Sequence, residues 1–520
     1  MGSGVGSAAA KAGNKNLAES INYIWEEYIS DSKNNSLLSY EMNQKTLTYY
    51  NKSLAFDYLI KGDQNKTKNF PLYIILHNGG ISQPSYNNGE FLKARFRYQS
   101  CIQTGIICGV RGVTDLSNMH YSKESIILLD RLIKSFIVFY KADPNRVYLI
   151  GLGFGGDGVY QIINLLSSRF AAAVVISGHS YGKVLKNLLN VHLLIQVGEN
   201  DTYFDKNKDA VKTYKRIKQH YENFKNKCKQ LSKYSMGNSS NKNNNNFISN
   251  IPSSSNTTTT KNSKNISTSD KTSCVECYIH TGQEQVINDY DKKQQEFPII
   301  ADPIEWMTSD NGNESINQNT NSISFLNKYI RDPLPKNLFW DLTCTIAIPI
   351  TYPNKTKEEN AVKDITMIKD TRSGGEGFFN GSLMATNKDK DEKNVGNSVL
   401  FNKYYYWLEI GCYSVSSLGT LEVIVRYEPK NNNTLIKNII FIDSPIKFIR
   451  ILLNERMVDF NKEITFHYNG MKQSIKVTRN YQTERRTLAE RGDYTYIFSA
   501  AVIFESKDMN TFKVSQFEEI

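Results

Sequence analysis

The chain has 520 residues, of which 40% are hydrophobic and 12% aromatic, and its formal net charge is +11. This composition is sufficient for one large domain and a smaller one, each with a packed core. No stretch approaches the roughly 20 apolar residues of a membrane-spanning helix, so we expect no transmembrane segment. Seven cysteines, an odd number, fit a reducing compartment better than a disulfide framework and predict a cytoplasmic protein.

The chain ends and the charge distribution predict few special features. Residues 1–16 predict a flexible arm that lacks the apolar core of a secretory signal. Gly6 stands where the myristoylation pattern requires Ser or Thr, so acylation of Gly2 is a minor alternative. Lysines are spread through Asn-rich loops, which predicts a solvated surface with no clear nucleic-acid site. Cys274 and Cys277 form a single C-x-x-C without a second ligand pair, and we expect neither a metal nor a cofactor.

Apolar runs and helical patterns alternate over the first part of the chain. Buried strands are predicted at 70–80, 104–112, 145–153, 170–180, 191–201 and 274–280. Amphipathic helices are predicted at 122–142, 156–169 and 208–231. This alternation is typical of an α/β fold with a mostly parallel sheet covered on both faces.

The pattern changes near residue 336. Short strand-like runs separated by turn residues predict a β-sandwich-like C-terminal domain over 336–520, after an α/β domain over 17–335. Polar tracts interrupt both parts, and we expect disordered insertions at about 236–273 and 309–323 and a polar insertion at about 354–398.

The stretch "VYLIGLGFGGDGVY" joins a strand to a helix through a glycine-rich turn. Gly151, Gly153 and Gly156 satisfy the G-x-G-x-x-G fingerprint of dinucleotide-binding sites. That fingerprint also needs an acidic residue about 20 positions on, at the end of the next strand. The next strand ends "VISGHS", without Asp or Glu, which disfavours a dinucleotide site.

A second pattern, the nucleophile elbow G-x-S-x-G, fits the same turn. Gly151 and Gly155 match its outer glycines, and Gly153 then occupies the position of the nucleophilic Ser. Elbow enzymes carry an HGGG-type oxyanion loop after an earlier strand, and "LHNGG" ends such a strand. The predicted oxyanion-hole residues are therefore His77, Asn78, Gly79 and Phe154. Asp201 follows a later strand, at the position of the triad acid.

The segment "DPNRVYLIGLGFGGDGVYQI…RFAAAVVISGH" resembles α/β-hydrolases of the esterase and dienelactone-hydrolase-like group. Members of that group commonly read D-P-N-R-V-Y-L-x-G-x-S-x-G-G-D-G-V-Y-Q at this place. The resemblance covers most of residues 70–220 and 275–520, including "LNERMVDFNKEITF" and "TLAERGDYTYIFSAAV". It implies an α/β-hydrolase fold, a doubly wound mostly parallel sheet, with a C-terminal β-sandwich-like domain.

The departures from the group's pattern concern the catalytic residues. Gly153 replaces the Ser, and Gln285 aligns with the base His, so that only Asp201 remains of the implied triad. Acyl transfer needs an oxygen or sulfur nucleophile activated by a base, and neither replacement supplies one. We therefore expect a pseudohydrolase that binds a small-molecule ligand or a protein partner.

Other residues keep a working hydrolase of esters, lactones or peptides open as the alternative. His280, as an alternative base, or His120 would act with Asp201 on a water molecule. His120 and His179 lie in loops near the predicted edge of the sheet and are expected to line a pocket. Ser177 and Cys108 are the candidate replacement nucleophiles.

Overall fold

The computed structural model describes residues 17–63, 65–183, 185–235, 274–280, 322–342, 383–386, 399–410, 422–427, 438–444, 446–508 and 510–518. The predicted arm at 1–16, the predicted insertion at 236–273 and Gln285 lie outside the described residues. Of the other two polar tracts only short pieces are described. Residues 322 and 323 begin a helix, and Leu383–Thr386 form a strand.

The first part of the chain alternates between helices and strands. Its helices are α1 (Leu17–Asn34), α2 (Ser36–Asn43), α3 (Pro84–Arg97), α4 (Lys123–Tyr140), α5 (Phe154–Leu165) and α6 (Lys206–Ser235). Its strands are β1 (Thr46–Tyr49), β2 (Lys52–Lys61), β3 (Phe70–Leu76), β4 (Gly105–Val110), β5 (Ala142–Leu152), β6 (Ala172–Ile176), β7 (His192–Gly198) and β8 (Val275–His280).

These strands form one eight-stranded sheet in the order β1-β2-β4-β3-β5-β6-β7-β8. In the part of this order that runs from β4 to β8, every neighbouring pair of strands is parallel. β2 is antiparallel to both of its neighbours, β1 and β4. In β3, Leu72 and Ile74 belong to one buried cluster, whereas Tyr73 and Ile75 belong to another. Because successive side chains of a strand point to opposite faces, both faces of the sheet are covered. The predicted doubly wound, mostly parallel sheet is confirmed.

The second part of the chain is rich in β-strands. Its described elements are α7 (Ser322–Leu326), β9 (Asn337–Asp341), β10 (Leu383–Thr386), β11 (Val399–Asn402), β12 (Tyr404–Tyr405), β13 (Leu408–Glu409), β14 (Glu422–Tyr427), β15 (Ile439–Ile442), β16 (Phe448–Leu453), β17 (Ile464–Tyr468), β18 (Met471–Ile475), α8 (Tyr481–Arg491), β19 (Ala500–Asp508) and β20 (Thr511–Phe517).

Two five-stranded sheets dominate this part, in the orders β12-β13-β16-β19-β20 and β18-β17-β15-β14-β9. Trp340 of the second sheet and Val502 of the first belong to the same buried hydrophobic cluster, so the sheets share a core. The β-rich C-terminal region is confirmed, while the exact domain boundaries stay predictions. Among the described helices, none is long and apolar enough to cross a membrane.

The parallel strands place several loops at one edge of the large sheet. The carboxyl ends of β3, β5, β6 and β7 lie side by side, because these strands are parallel neighbours or near neighbours. Ligand sites of open α/β sheets lie at this carboxyl edge. The glycine-rich turn, the "LHNGG" loop and Asp201 all follow these strands.

Candidate functional site

The turn between β5 and α5 is sharp and has a backbone conformation suited to glycine. Gly153 has φ 53° and ψ −117°, a backbone conformation that residues with a Cβ rarely adopt. Its N–H donates to the carbonyl oxygen of Ile176 over 2.9 Å, which ties the turn to the end of β6. Helix α5 begins at the next residue, Phe154. This is the strand–turn–helix setting in which a hydrolase presents its nucleophile.

The outer glycines of the turn are required by close backbone packing. A Cβ on Gly151 would lie 2.1 Å from the carbonyl oxygen of Gly155. A Cβ on Gly155 would lie 2.2 Å from the carbonyl oxygen of Leu76, at the end of β3. Both contacts are far inside van der Waals distance, so only glycine fits at either position. The chain has an α/β-hydrolase-like fold.

The "LHNGG" loop of this α/β-hydrolase-like fold is fixed from within by two buried histidines. His77 Nε2 accepts the N–H of Gly112 over 3.0 Å, so Nδ1 carries the proton and donates to the carbonyl oxygen of Asn78. His120 Nε2 donates to the carbonyl oxygen of His77 over 2.9 Å. Burial is the main cause that lowers the pKa of His77 to about 4 and the pKa of His120 well below its usual range. Both rings are therefore neutral and hold the loop in shape.

The predicted oxyanion hole already contains an acceptor. The backbone N–H of Phe154 donates to Oδ1 of Asn78 over 3.2 Å. A backbone N–H can only donate, so the oxygen of the Asn78 amide must face it, and the NH2 group of that amide must point away. In an acyl-transfer enzyme this N–H would stabilise the oxyanion of the intermediate. Here Oδ1 of Asn78 accepts the hydrogen bond from that N–H.

The remainder of this loop packs closely against its neighbours. Gly79 has φ +141°, and a Cβ there would lie 2.0 Å from Oδ1 of Asn87. Gly80 has φ +88°, and the Phe154 ring lies against it, 2.6 Å from the position of a Cβ. Nδ2 of Asn87 donates to the carbonyl oxygen of Gly80 and to Asp115 Oδ1, over 3.1 and 2.7 Å. The loop is thus held by the Asn87 side chain and packed against the Phe154 ring.

Asp201 is a buried carboxylate without a hydrogen-bond partner of standard geometry among the described residues. Its exposure is 1%. The hydroxyl of Ser177 lies beside it and, with the charge of Lys206, lowers its pKa, but burial outweighs both and raises the pKa overall. Ser177 is itself buried, has φ +50°, and follows the last residue of β6. In the described part of the chain no imidazole hydrogen-bonds to Asp201.

Asp157 fixes the loop that follows β6. Its Oδ1 accepts the backbone N–H of His179 over 2.6 Å, and its Oδ2 accepts the hydroxyl of Tyr181 over 2.8 Å. His179 Nδ1 accepts the N–H of Tyr181 over 2.8 Å. His179 is thus a partly buried residue at the carboxyl edge of the sheet, and its ring accepts a hydrogen bond from the backbone of its own loop.

The other predicted site residues lie apart or outside the described atoms. His280 is the last residue of β8, and its side chain is not among the described residues. Cys108 lies in the middle of β4 and is fully buried, which raises the pKa of its thiol well above the usual value. A buried, protonated thiol is a poor nucleophile. Among the described residues no group of three or more His, Cys, Asp or Glu side chains could hold a metal ion.

Several exposed apolar side chains follow the strands at the carboxyl edge of the sheet, and we call these six residues the apolar rim. Six large apolar or aromatic side chains, each 46–74% exposed, lie just after the carboxyl ends of the central strands: Ile81, Tyr86, Leu116, Tyr181, Tyr203 and Phe204. Isolated exposed apolar residues are ordinary, whereas a contiguous group of them is typical of binding surfaces. Tyr86 lies in the first turn of α3, Tyr203 and Phe204 lie in a 3-10 turn after β7, and the others lie in loops, so no local sequence pattern groups them.

Comparisons with known proteins give partial matches among solved structures. No protein-family model matches the chain, and a search of curated proteins gives no significant match. Among solved structures, a thermostable esterase aligns over 34% of this chain and 52% of its own length, with 16% identity and a TM-score of 0.28. The alignment thus spans about half of that esterase.

Two further solved structures are similar at the same level. S-formylglutathione hydrolase from Staphylococcus aureus aligns over 33% of this chain and 82% of its own, with 17% identity and a TM-score of 0.26. Acetyl xylan esterase from Aspergillus awamori aligns over 33% and 77%, with 14% identity and a TM-score of 0.23. Likeness at this level carries no argument about activity.

Proposed function

We propose that this chain is a pseudohydrolase, an α/β-hydrolase-like protein that binds a ligand at its former active-site edge without turning it over. One observation carries the proposal. Gly153 occupies the elbow position, at φ 53° and ψ −117°, and has no side chain. A covalent acyl intermediate requires an oxygen or sulfur atom at that point.

Two further features support the loss of catalysis. Asn78 takes the N–H of Phe154 that would bind an oxyanion. Asp201, at the acid position, has no hydrogen-bonded imidazole among the described residues. The base position belongs to Gln285 in the proposed alignment, and an amide cannot accept a proton at neutral pH.

The apolar rim supports binding at the same edge. Its six side chains, from Ile81 to Phe204, provide contact area without charge, which suits an apolar small molecule or an apolar patch of a protein partner. Tyr203 and Phe204 are about 60% exposed, and their rings pack on each other at 4.3 Å. Such paired aromatic rings are good anchors for a ligand.

The alternative is a hydrolase that activates a water molecule through His120 or His280. His120 is buried, and its Nε2 already donates to the carbonyl oxygen of His77. The lone pair of a neutral ring that donates through Nε2 is on Nδ1, and the burial of the ring separates that atom from solvent water. The geometry of His120 therefore favours the binding function over hydrolysis.

Binding at the rim is tested with the fluorescent apolar probe bis-ANS and the full chain. The double variant Tyr203→Ser/Phe204→Ser is expected to lose several-fold in probe affinity. Ile330→Ser is the matched control, because Ile330 is 68% exposed and lies away from the carboxyl edge. The backbone N–H of the next residue, Arg331, donates to the carbonyl oxygen of Asn145, near the amino end of β5. Equal losses in both variants would contradict a binding edge, and hydrolysis of p-nitrophenyl butyrate above a heat-denatured control would contradict inactivity.

A further inference from the structure

A cluster of buried cations lies far from the glycine turn, where the β-rich region meets the end of α5. Arg169 ends the 3-10 turn Ser167–Arg169, Arg331 follows α7, and Arg491 is the last residue of α8. Each of the three arginines is exposed by 3% or less. Buried arginines need acceptors for five N–H donors and a counter-charge.

Two carboxylates neutralise part of this cluster. Asp130 accepts from Arg169 Nε over 2.6 Å and pairs with Lys134 Nζ over 2.9 Å. Asp493 pairs with Arg331 over 2.8 Å. No described carboxylate lies within the 4.0 Å of an ion pair from Arg491. Four cations therefore share two described carboxylates.

The missing charge coincides with missing acceptors. Both Nη atoms of Arg169 and Nε of Arg491 are buried and have no hydrogen-bond partner among the described residues. Nη1 of Arg491 donates to the carbonyl oxygen of Tyr406 over 3.0 Å, and its guanidinium lies 3.6 Å from the centre of the Tyr496 ring. The Tyr496 ring lies against the Arg491 guanidinium, but it supplies no hydrogen-bond acceptor for the Nε–H of Arg491.

Arg169 and Arg491, some of whose donors lack acceptors within the described part of the chain, are neighbours. Nη2 of Arg491 reaches Oγ of Ser168 over 3.4 Å, and Ser168 directly precedes Arg169 in the chain. Burial first, and then the positive charge of Arg169, lower the pKa of Arg491 to about 10. The carbonyl oxygen of Glu490, at the end of α8, is taken by Lys134 over 2.8 Å. The Glu490 carbonyl oxygen at the end of α8 is therefore already used and does not serve as an acceptor for Arg491.

We propose that Arg169 and Arg491 together bind a small monovalent anion of the halide class. Such an ion accepts several N–H bonds at once and supplies the negative charge that the cluster lacks. Complete burial of both guanidinium groups favours an ion without an organic tail. Because the arginines come from α8 and from the turn after α5, the ion would join the β-rich region to the α/β region.

The test is thermal unfolding of the full chain in sodium gluconate, with chloride or bromide replacing gluconate at constant ionic strength. Binding to the folded state alone predicts a saturable rise of Tm with chloride. Arg491→Met should abolish this chloride dependence. Arg485→Met is the matched control on the same helix, because Arg485 is partly exposed and paired with Glu27, and it should keep the dependence. Equal Tm values of the wild type in chloride and gluconate would overturn the proposal.

A second measurement covers the case in which Arg491→Met fails to fold. Wild-type crystals grown in bromide are expected to show an anomalous peak within hydrogen-bond distance of Arg169 and Arg491. A water molecule at that point, without anomalous signal, would overturn the anion assignment. An equal chloride dependence in Arg491→Met would do the same, because it would reveal a general salt effect.

Discussion

The backbone N–H of Phe154 donates to the side-chain oxygen of Asn78 over 3.2 Å. This contact satisfies one of the N–H groups at the start of α5 that have no partner within the helix. It also removes the donor on which an acyl-transfer enzyme of this fold would rely. In the proposed pseudohydrolase, Gly153 supplies no nucleophile and Oδ1 of Asn78 takes the place of a substrate oxyanion.

The first prediction concerns the repair of the site. Gly153→Ser with Gln285→His restores a nucleophile and a base, but Asn78 still occupies the Phe154 N–H. We expect the triple variant with Asn78→Gly to exceed that double variant in kcat on the order of 100-fold, the usual effect of one oxyanion donor. Turnover of p-nitrophenyl butyrate measures the difference. Asn78→Gly alone is the control and should stay at background, and equal activity of double and triple variants would show that Asn78 does not block the hole.

The second prediction concerns strain at the elbow. Serine at φ 53° and ψ −117° places a Cβ in a rarely populated region, so Gly153→Ser should lower the free energy of unfolding by about 1–3 kcal/mol. Gly89→Ser in α3 is the matched control, because a Cβ there meets no atom within 4 Å. Urea titration measures both variants. A Gly153→Ser variant as stable as wild type would show that serine adopts this backbone conformation without strain.

The third prediction compares two buried carboxylates. Asp201 has no hydrogen-bond partner of standard geometry among the described residues, and burial outweighs the effects of Lys206 and Ser177 on its pKa, so Asp201→Asn should leave the protein equally stable or more stable. Asp130 bonds to Arg169 and Lys134, which hold its pKa at about 2 despite burial, so Asp130→Asn should cost about 3–5 kcal/mol. Urea titration at pH 7 tests both. Equal destabilisation would mean that Asp201 is held by a partner.

The fourth prediction concerns pH. The pKa of His77 is about 4 in the folded chain and 6.5 when unperturbed, chiefly because the ring is buried. Above pH 6.5 the ring is neutral in both states. Between pH 6.5 and 4 the unfolded chain takes up the proton first, so the free energy of unfolding falls as pH falls, by about 3 kcal/mol for this group. His77→Gln should flatten the pH profile, and an unchanged slope would refute this role.

Much of the fold follows from local patterns. The alternation of apolar runs and helical spacing predicted β3 to β8 together with α4, α5 and α6, because their buried faces are apolar. The helix α3 was missed for the opposite reason. Its buried residues Asn87, Glu90 and Arg97 have helical spacing but are polar, and Glu90 pairs with Arg97 over 3.1 Å. A hydrophobic pattern cannot detect a helix with such a face.

The site was only partly predictable. Motif spacing placed Gly153 at the elbow and Asn78 in the oxyanion loop, but the contact between Asn78 and Phe154 joins residues 76 positions apart. The proximity of Ser177 to Asp201 and the apolar rim likewise depend on strand order, which no local pattern encodes. The roles of Gln285 and His280, acylation of Gly2 and a cytoplasmic location stay predictions.

The most direct test of the missing nucleophile is intact-protein mass spectrometry after incubation of the full chain with a fluorophosphonate. Because Gly153 has no oxygen to react, the mass of the wild-type chain should not change, while a serine esterase treated in parallel gains one phosphonyl group. A stoichiometric adduct on the wild-type chain, mapped to Ser177 or to another Ser, Thr or Cys at this edge, would contradict the proposed pseudohydrolase.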